Sequence, residues 1–305
     1  NVFQASEYQI ENSHFFSLNT TLRYDTLDNI FFPTKGLLFE TDLAKRLDEY
    51  VEGRQGKGQY ASETSKIIEM CSAKIGSPVV NFRHEGGANT SRPIVNSGSQ
   101  VFVSPKDHRE HGSKLTDITL VHHNKKESYL SLKYSSTLTF VNSGVSKIFP
   151  ETEIKKGSIS SPVGKAIMSA FGIDELLFCN VFNDYGKGTR HATGVNVSSK
   201  IDRNALKLFL STAIGSDYWM IHGMDGGKIW SWYMDPSKNN TMSTVSGPII
   251  IDYGGSSGTG KRVNISFSNS FFDFTVNIRN KQSGRYPSHI MCDYKSKPAT
   301  GKKLL

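Results

Sequence analysis

The sequence predicts an α/β core followed by a β-rich C-terminal region. The core is indicated by an amphipathic helix pattern in residues 62–76 and by two alternating segments within residues 112–133. In each alternating segment the aliphatic side chains share one face and the polar side chains share the other, as in strands with one buried face. The C-terminal region is indicated by runs rich in β-branched and aromatic residues, at 229–233, 249–253, 263–267, 272–278 and 290–294.

Local signals place the remaining elements. Ser62 is predicted to cap a helix whose apolar stripe ends at Gly76, and Asp202 is predicted to cap an amphipathic helix at 205–214. Further predictions are helices at 38–51, 163–171 and 174–182, a short strand at 100–104 in an otherwise irregular stretch 78–105, a strand at 137–142 that extends the core sheet, and a disordered basic tail at 295–303.

The length and the net charge of the chain limit its domain organisation and the kinds of partner it can have. At 305 residues the chain can bury a substantial core. We divide it into an N-terminal segment (1–58), an α/β core (59–216) and a β-rich region (217–305). The 36 Lys and Arg against 28 Asp and Glu give a net charge of +8, which favours a polyanionic partner such as nucleic acid.

Cysteine spacing and hydropathy predict a location. The three cysteines are isolated in sequence, so they form neither a zinc pattern nor a disulfide framework. No apolar run approaches the roughly 18 residues of a membrane span. Residues 23–36 resemble a motif of outer-membrane strands, which we interpret as coincidence because no series of similar strands follows. A cytoplasmic protein without a membrane partner is therefore expected.

The alternating segments carry the main candidate site. Asp117 lies on the face opposite Ile118, and Lys133 lies on the face opposite Leu132. Such a pair suits a cleft in which the carboxylate holds a hard cation and the amine steadies an attacking water or a phosphate oxygen. A hairpin with one solvated polar face gives the same pattern and is the alternative.

The helix before this hairpin offers a further carboxylate. At about 100° per residue, Glu63 lies within about 70° of the centre of the apolar stripe, whereas Glu69 points nearly opposite. Glu63 is therefore predicted to be a third group of the site.

The quoted segments resemble a known family. Lys114-Leu-Thr-Asp-Ile, Tyr129-Leu-Ser-Leu-Lys and the stretches 136–144 and 277–287 are similar to the PD-(D/E)XK nucleases, in particular to type II restriction endonucleases and related phage nucleases with a Ser-X-Lys variant. The resemblance implies a restriction-endonuclease-like mixed sheet flanked by helices, with Mg²⁺ in its cleft. Asp117 takes the place of the metal-binding Asp and Lys133 that of the Lys. Ser131 stands where the family has an acid.

The resemblance implies a mechanism and a partner. Asp117 and Glu63 would hold Mg²⁺, Lys133 would orient or deprotonate the attacking water, and Ser131 would add a hydrogen bond. The substrate would be double-stranded DNA, cut by a sequence-specific endonuclease that forms a homodimer on palindromic sites. The alternatives are a structure-selective repair or phage nuclease and a DNA-binding protein on an inactive nuclease fold. The residues expected to contact DNA are Arg83, Arg92, Ser135, Ser136, Asn142, Arg279, Lys281 and Arg285.

Overall fold

The computed structural model describes residues 35–53, 61–85, 92–134, 138–187, 189, 191–223, 228–255, 262–280 and 284–305. The helices in these ranges are α1 Lys35–Val51, α2 Ala61–Ile75, α3 His111–Leu115, α4 Glu151–Lys156, α5 Pro162–Phe171, α6 Glu175–Asn183, α7 Arg203–Ile214 and α8 Pro236–Met242. The strands are β1 Val79–His84, β2 Ile94–Ser97, β3 Gln100–Val103, β4 Ile118–His122, β5 Glu127–Tyr134, β6 Leu138–Gly144, β7 Val195–Asn196, β8 Tyr218–Gly223, β9 Ile229–Met234, β10 Ile250–Tyr253, β11 Arg262–Ser268, β12 Phe272–Arg279, β13 His289–Ser296 and β14 Lys303–Leu304.

The first sheet holds the candidate site. Within the described ranges its strand order is β1-β4-β5-β8-β9-β14, with β5 and β8 parallel and the other neighbouring pairs antiparallel. Helices α1 and α2 pack on this sheet because their apolar stripes and the aliphatic residues of β4 and β5 form one buried cluster. Its members include Phe39, Leu43, Ile67, Ile118, Leu120, Leu130 and Leu132.

The second sheet is antiparallel throughout and has the order β6-β13-β12-β11-β10-β7. Strand β11 alternates strictly, so that it buries Val263, Ile265 and Phe267 and turns its polar residues outward. The buried face packs on α5, α6 and α7 in the larger hydrophobic core. The fold class predicted from the sequence, α/β with a β-rich C-terminal region, is confirmed.

Three local predictions are wrong. The stretch 78–105 forms three strands instead of one. Strand β1 was not predicted because it is a half-exposed edge strand whose polar residues Asn81, Arg83 and His84 interrupt the apolar pattern. Strand β6 joins the second sheet through β13 and does not extend the first. The C-terminal tail is ordered, since β14 pairs with β9 at Leu304 and Trp230.

Two helix caps were predicted, and the structure confirms one of them. Asp202 accepts a hydrogen bond from the amide of Asn204 and caps α7, as predicted. Ser62 is not the N-cap of α2, because that helix begins at Ala61. The division of the chain at residue 216 stays a prediction. Strands from both sides of that residue, β5 and β8, pair in the first sheet.

Buried Arg92 ties separate elements together. Its guanidinium donates hydrogen bonds to the carbonyl oxygens of Phe140 at 2.8 Å, Thr212 at 2.6 Å and Ala213 at 2.8 Å. These carbonyls lie on β6 and α7, which belong to different parts of the chain. Arg92 is 8% exposed, and burial lowers its pKa to about 10. The predicted DNA-contacting role of Arg92 is therefore replaced by a structural one.

His111 completes this arrangement as a neutral ring. Because an arginine can only donate, His111 Nδ1 accepts from Arg92 at 3.0 Å, and Nε2–H donates to the carbonyl of Pro105 at 2.6 Å. Burial and the neighbouring guanidinium lower the pKa of His111 to about 4. The ring therefore stays uncharged at neutral pH beside a buried cation.

Arg92→Lys is expected to lower the free energy of unfolding by about 3 kcal/mol, because a single ammonium cannot serve three carbonyls and a ring nitrogen and leaves buried acceptors unpaired. Urea unfolding monitored by tryptophan fluorescence measures the change. The matched control is Arg109→Lys at an exposed position, for which a change within about 0.5 kcal/mol is expected. Equal stabilities of the two variants would show that the Arg92 network contributes nothing.

Candidate active site

The ends of β4 and β5 bring Asp117 and Lys133 together. The amide of Asp117 donates to the carbonyl of Leu130 at 2.8 Å, and the amide of Leu132 donates to Asp117 Oδ2 at 2.6 Å. These two bonds place the carboxylate beside the strand segment that carries Lys133. Both side chains line a pocket of about 270 Å³, together with Arg92, Lys114, Leu115, Thr139, Phe140, Val141 and Asn142.

The pKa of the Asp117 carboxyl group is shifted towards neutral pH. Burial raises its pKa to about 6, and the nearby charge of Lys133 opposes that rise. Glu40 raises the pKa further, while the amide of Leu132 and the charge of His84 lower it. The pocket therefore holds an acid whose protonation changes close to physiological pH, which is a common property of catalytic acids and bases.

Glu40 and His84 form an ion pair at the edge of this site. His84 Nε2 lies 2.6 Å from Glu40 Oε1, and the side chains are 16% and 20% exposed. The hydrogen bond to Glu40 raises the pKa of His84. Glu40 comes from α1 and His84 from β1, so the cluster joins the helical layer to the sheet.

The sequence held a signal for Glu40 that the prediction missed. The buried stripe of α1 consists of Phe39, Leu43 and Leu47, and on a helical wheel Glu40 lies about 60° from its centre. That is the same argument that selected Glu63 on α2. Applied to α1, it would have selected Glu40.

Glu63 and Ser131 occupy different surroundings from those predicted. Glu63 accepts a hydrogen bond from the Ser62 hydroxyl at 2.8 Å in the exposed first turn of α2, whereas Glu40 is the helical carboxylate that acts on Asp117. Ser131 is fully buried, and its hydroxyl has no hydrogen-bond partner among the described residues. Its role at the site stays a prediction.

Three of the five described residues that were predicted to contact DNA, Arg83, Arg92 and Arg285, have intramolecular partners. Arg83 pairs with Glu127 at 2.8 Å and with Glu85 at 3.4 Å. Arg285 donates to the last carbonyls of α6, those of Phe182 and Asn183. Asn142 is exposed beside the Asp117 pocket, and Arg279 ends β12. Ser135, Ser136 and Lys281 lie outside the described residues.

The described residues offer few ligands for the Mg²⁺ ion that the sequence predicts. Within the described ranges no three His, Cys, Asp or Glu residues lie close enough to share a metal ion. Asp117 and Glu40 supply two carboxylates, and Mg²⁺ is commonly bound through one or two carboxylates with water in its other positions. These two residues would therefore hold the ion, and Mg²⁺ stays a proposal.

Comparison with known proteins relates the N-terminal part of the chain to a family. Residues 2–96 match the model of the OMP85 superfamily. The match covers less than a third of the 305 residues. It nevertheless includes Glu40, His84 and Arg92, while Asp117 and Lys133 lie beyond it. No curated protein and no solved structure gives a significant match to the chain.

This match overturns the identification as a PD-(D/E)XK nuclease. The restriction function, the DNA partner, the cytoplasmic location and the expected lack of a membrane partner are wrong with it. The outer-membrane motif at 23–36, interpreted as coincidence, lies inside the matched region. The misidentification arose because short strand motifs with an Asp and a Lys recur in unrelated sheets. Residues 23–34 themselves lie outside the described ranges.

The length and apolar composition of the described helices bear on whether they could cross a membrane. In the described part of the chain no single helix is long and apolar enough to cross a membrane. One pair, Pro162–Phe171 with Glu175–Asn183, passes the length and composition test jointly and is bent by 107°.

Asp117→Asn is expected to stabilise the folded protein at about pH 8 by up to about 3 kcal/mol and to leave its stability unchanged at about pH 3. The folded-state pKa of Asp117 is raised from 3.8 to about 6. The folded chain therefore holds this proton more tightly than the unfolded chain does. That contribution to stability is complete below about pH 4 and is lost as the pH rises through about 6. An asparagine keeps the acceptor for the Leu132 amide.

Urea unfolding of the unaltered protein and of Asp117→Asn at the two pH values measures the difference in stability between them. His111 has the opposite pH dependence, but its contribution is the same in both proteins and cancels in this difference. Asp273→Asn, at an exposed carboxylate, is the control and should change stability little at either pH. A loss of stability in Asp117→Asn at about pH 8 would contradict the desolvated environment of the carboxyl group.

Proposed function

We propose that this protein hydrolyses a small phosphate ester in the Asp117 pocket. The observation that carries the proposal is the shared pocket of Asp117 and Lys133, in which the carboxyl pKa is raised to about 6. A carboxylate with that pKa is a suitable general base for water at neutral pH. A lysine beside it is a suitable partner for a phosphate oxygen.

The charges and size of the pocket support the substrate class. Three cations, Arg92, Lys114 and Lys133, line it against the single carboxylate Asp117. An anionic substrate is therefore favoured electrostatically. The volume of about 270 Å³ lies just below the usual range of about 300 to 1,000 Å³ for small-molecule sites, which supports a small ester rather than a macromolecule.

Each residue has one task in the proposed reaction. Asp117 takes a proton from water as the water oxygen bonds to phosphorus and the ester P–O bond breaks. The leaving alkoxide takes a proton from solvent and departs as an alcohol, and Asp117 returns its own proton to solvent. Lys133 stabilises the negative charge on the phosphate oxygens. Glu40, held by His84 outside the pocket lining, would supply a second carboxylate to a bound Mg²⁺. A bound Mg²⁺ would supply Lewis-acid polarisation of a phosphate oxygen.

The test is hydrolysis of p-nitrophenyl phosphate and bis(p-nitrophenyl) phosphate with Mg²⁺, followed by absorbance. We expect turnover that falls at least ~100-fold in Asp117→Asn, which removes the general base, and in Lys133→Met, which removes the charge that stabilises the phosphate oxygens. Glu40→Gln should lose metal dependence as well as rate.

The matched control is Glu69→Gln, on the exposed side of α2, which should retain wild-type activity. Circular dichroism of each variant separates loss of activity from loss of fold. An inactive wild-type protein with both esters, or an Asp117→Asn protein with full activity, would exclude the proposed hydrolysis.

A second proposed function is association with the outer membrane, which the OMP85 superfamily match over residues 2–96 favours. This proposal concerns the location of the chain and is compatible with hydrolysis. It concerns the matched region, which also contributes Glu40, His84 and Arg92 to the surroundings of the Asp117 pocket.

Flotation of the full chain with phosphatidylethanolamine–phosphatidylglycerol vesicles tests this location. We expect flotation that persists at about 0.5 M NaCl, where salt screens the attraction between a basic chain and anionic lipid. Phe31→Asp/Phe32→Asp, inside the matched region, should abolish it. Leu304→Asp, at an exposed apolar residue outside the match, is the control. Loss of flotation of the unaltered chain at that salt concentration would contradict the proposal.

A further inference from the structure

The polar face of the second sheet contains a larger cavity that the proposed reaction does not use. Its volume is about 580 Å³, and it is built on β11, β12 and β13. Residues from alternate positions of these strands line it, including Arg262, Asn264, Asp273, Asn277, Asp293 and Lys295. We call this the sheet pocket.

The orientation of the Asn277 amide is fixed inside the sheet pocket. Asn277 Nδ2 donates to Asp293 Oδ2 at 2.8 Å, and the other carboxylate oxygen accepts from Thr139 at 2.6 Å. Because Asp293 can only accept when ionised, the amide nitrogen must face it. Asn277 Oδ1 must therefore point elsewhere, and it is buried without a hydrogen-bond partner among the described residues.

Asn264 presents a second acceptor of the same kind. It lies directly opposite Asn277 in the pairing of β11 with β12. Asn264 Oδ1 is also buried without a partner in the described part of the chain. Asn277 is 4% exposed, so its amide is not a solvated surface group. Buried acceptors left unpaired are costly, and two adjacent ones are typical of a site that a ligand completes.

The chemistry of the sheet pocket restricts the ligand. The Asn277 amide oxygen, whose orientation Asp293 fixes, accepts hydrogen bonds and repels anions, so phosphate and sulfate do not fit against it. The positive charges of Arg262 and Lys295 disfavour the binding of a cation. Asp293 does not compensate for them, because both of its carboxylate oxygens already accept hydrogen bonds. The charges of the lining balance, since Arg262 and Lys295 face Asp273 and Asp293.

We propose that the sheet pocket binds a neutral sugar through hydroxyl groups that donate to Asn264 and Asn277. Opposite residues on antiparallel strands have Cβ atoms about 5 Å apart, which lets one pyranose ring reach both amides with neighbouring hydroxyls. The same hydroxyls accept from Arg262 and Lys295 on the rim. The volume of about 580 Å³ accommodates a mono- or disaccharide.

Isothermal titration calorimetry and saturation-transfer NMR with D-glucose, D-mannose and N-acetyl-D-glucosamine test the proposal on the full chain. We expect at least one sugar to bind saturably, and Asn264→Ala to weaken its affinity about tenfold, as expected for a lost buried hydrogen bond. Asn277→Ala should weaken it further, because it also frees Asp293. Inorganic phosphate should not compete.

Asn240→Ala, at an exposed asparagine on α8, is the matched control and should bind as the unaltered chain does. Thermal unfolding shows whether each variant is folded, and Asn264→Ala provides the test if Asn277→Ala unfolds. Three outcomes would overturn the proposal: no saturable binding of any of the three sugars, which would indicate a pocket filled by water alone; unchanged affinity in Asn264→Ala; or displacement of the sugar by phosphate.

Discussion

The placement of one desolvated carboxylate constrains the rest of the candidate site. The Asp117 amide donates to the Leu130 carbonyl and the Leu132 amide donates to the Asp117 carboxylate, and these two bonds hold Asp117 where it loses water but keeps an amide donor. That loss of solvation raises the pKa of the carboxyl group, and the charge of Lys133 limits the rise. Because a packed sheet fixes both strands, the pair does not depend on loop conformation. The same geometry opposes stability, since an ionised carboxylate in this position costs folding free energy at neutral pH.

Much of the fold could be predicted because the periodic pattern of apolar residues identifies helices and strands without knowledge of their tertiary contacts. The alternation of Val263, Ile265 and Phe267 predicted a strand, and the Asp202 cap predicted the start of α7. The failures were elements whose structure depends on distant partners. Strand β14 exists through its pairing with β9, and β6 joined a sheet that its own sequence did not specify. Arg92 looked like a surface cation because nothing local reveals that it is buried against carbonyls of β6 and α7.

The site could be predicted only in part, and its identification failed. The opposite faces of Asp117 and Ile118 follow from strand periodicity, so this hairpin was accessible from sequence. Glu40 lies beside the apolar stripe of α1, but its proximity to Asp117 depends on tertiary packing that the helix pattern does not reveal. The family inference failed for a different reason: the short strand motif carried less information than residues 2–96, which match the OMP85 superfamily. That match includes Glu40 and His84, so the matched region and the strand motif contribute to the same cluster of charges.

The most direct test of this account is the titration of the Asp117 carboxyl group itself. Carbon-13 NMR of the side-chain carboxyl carbons, with Asp117→Asn used to assign the resonance, follows its protonation without reference to any substrate. The account predicts a midpoint at a pH of about 6, as burial beside Lys133 requires. It also predicts a higher midpoint in Lys133→Met, which lacks the opposing charge. A midpoint near the ordinary value of 3.8, unaffected by Lys133→Met, would contradict the central claim that the two residues share a desolvated pocket.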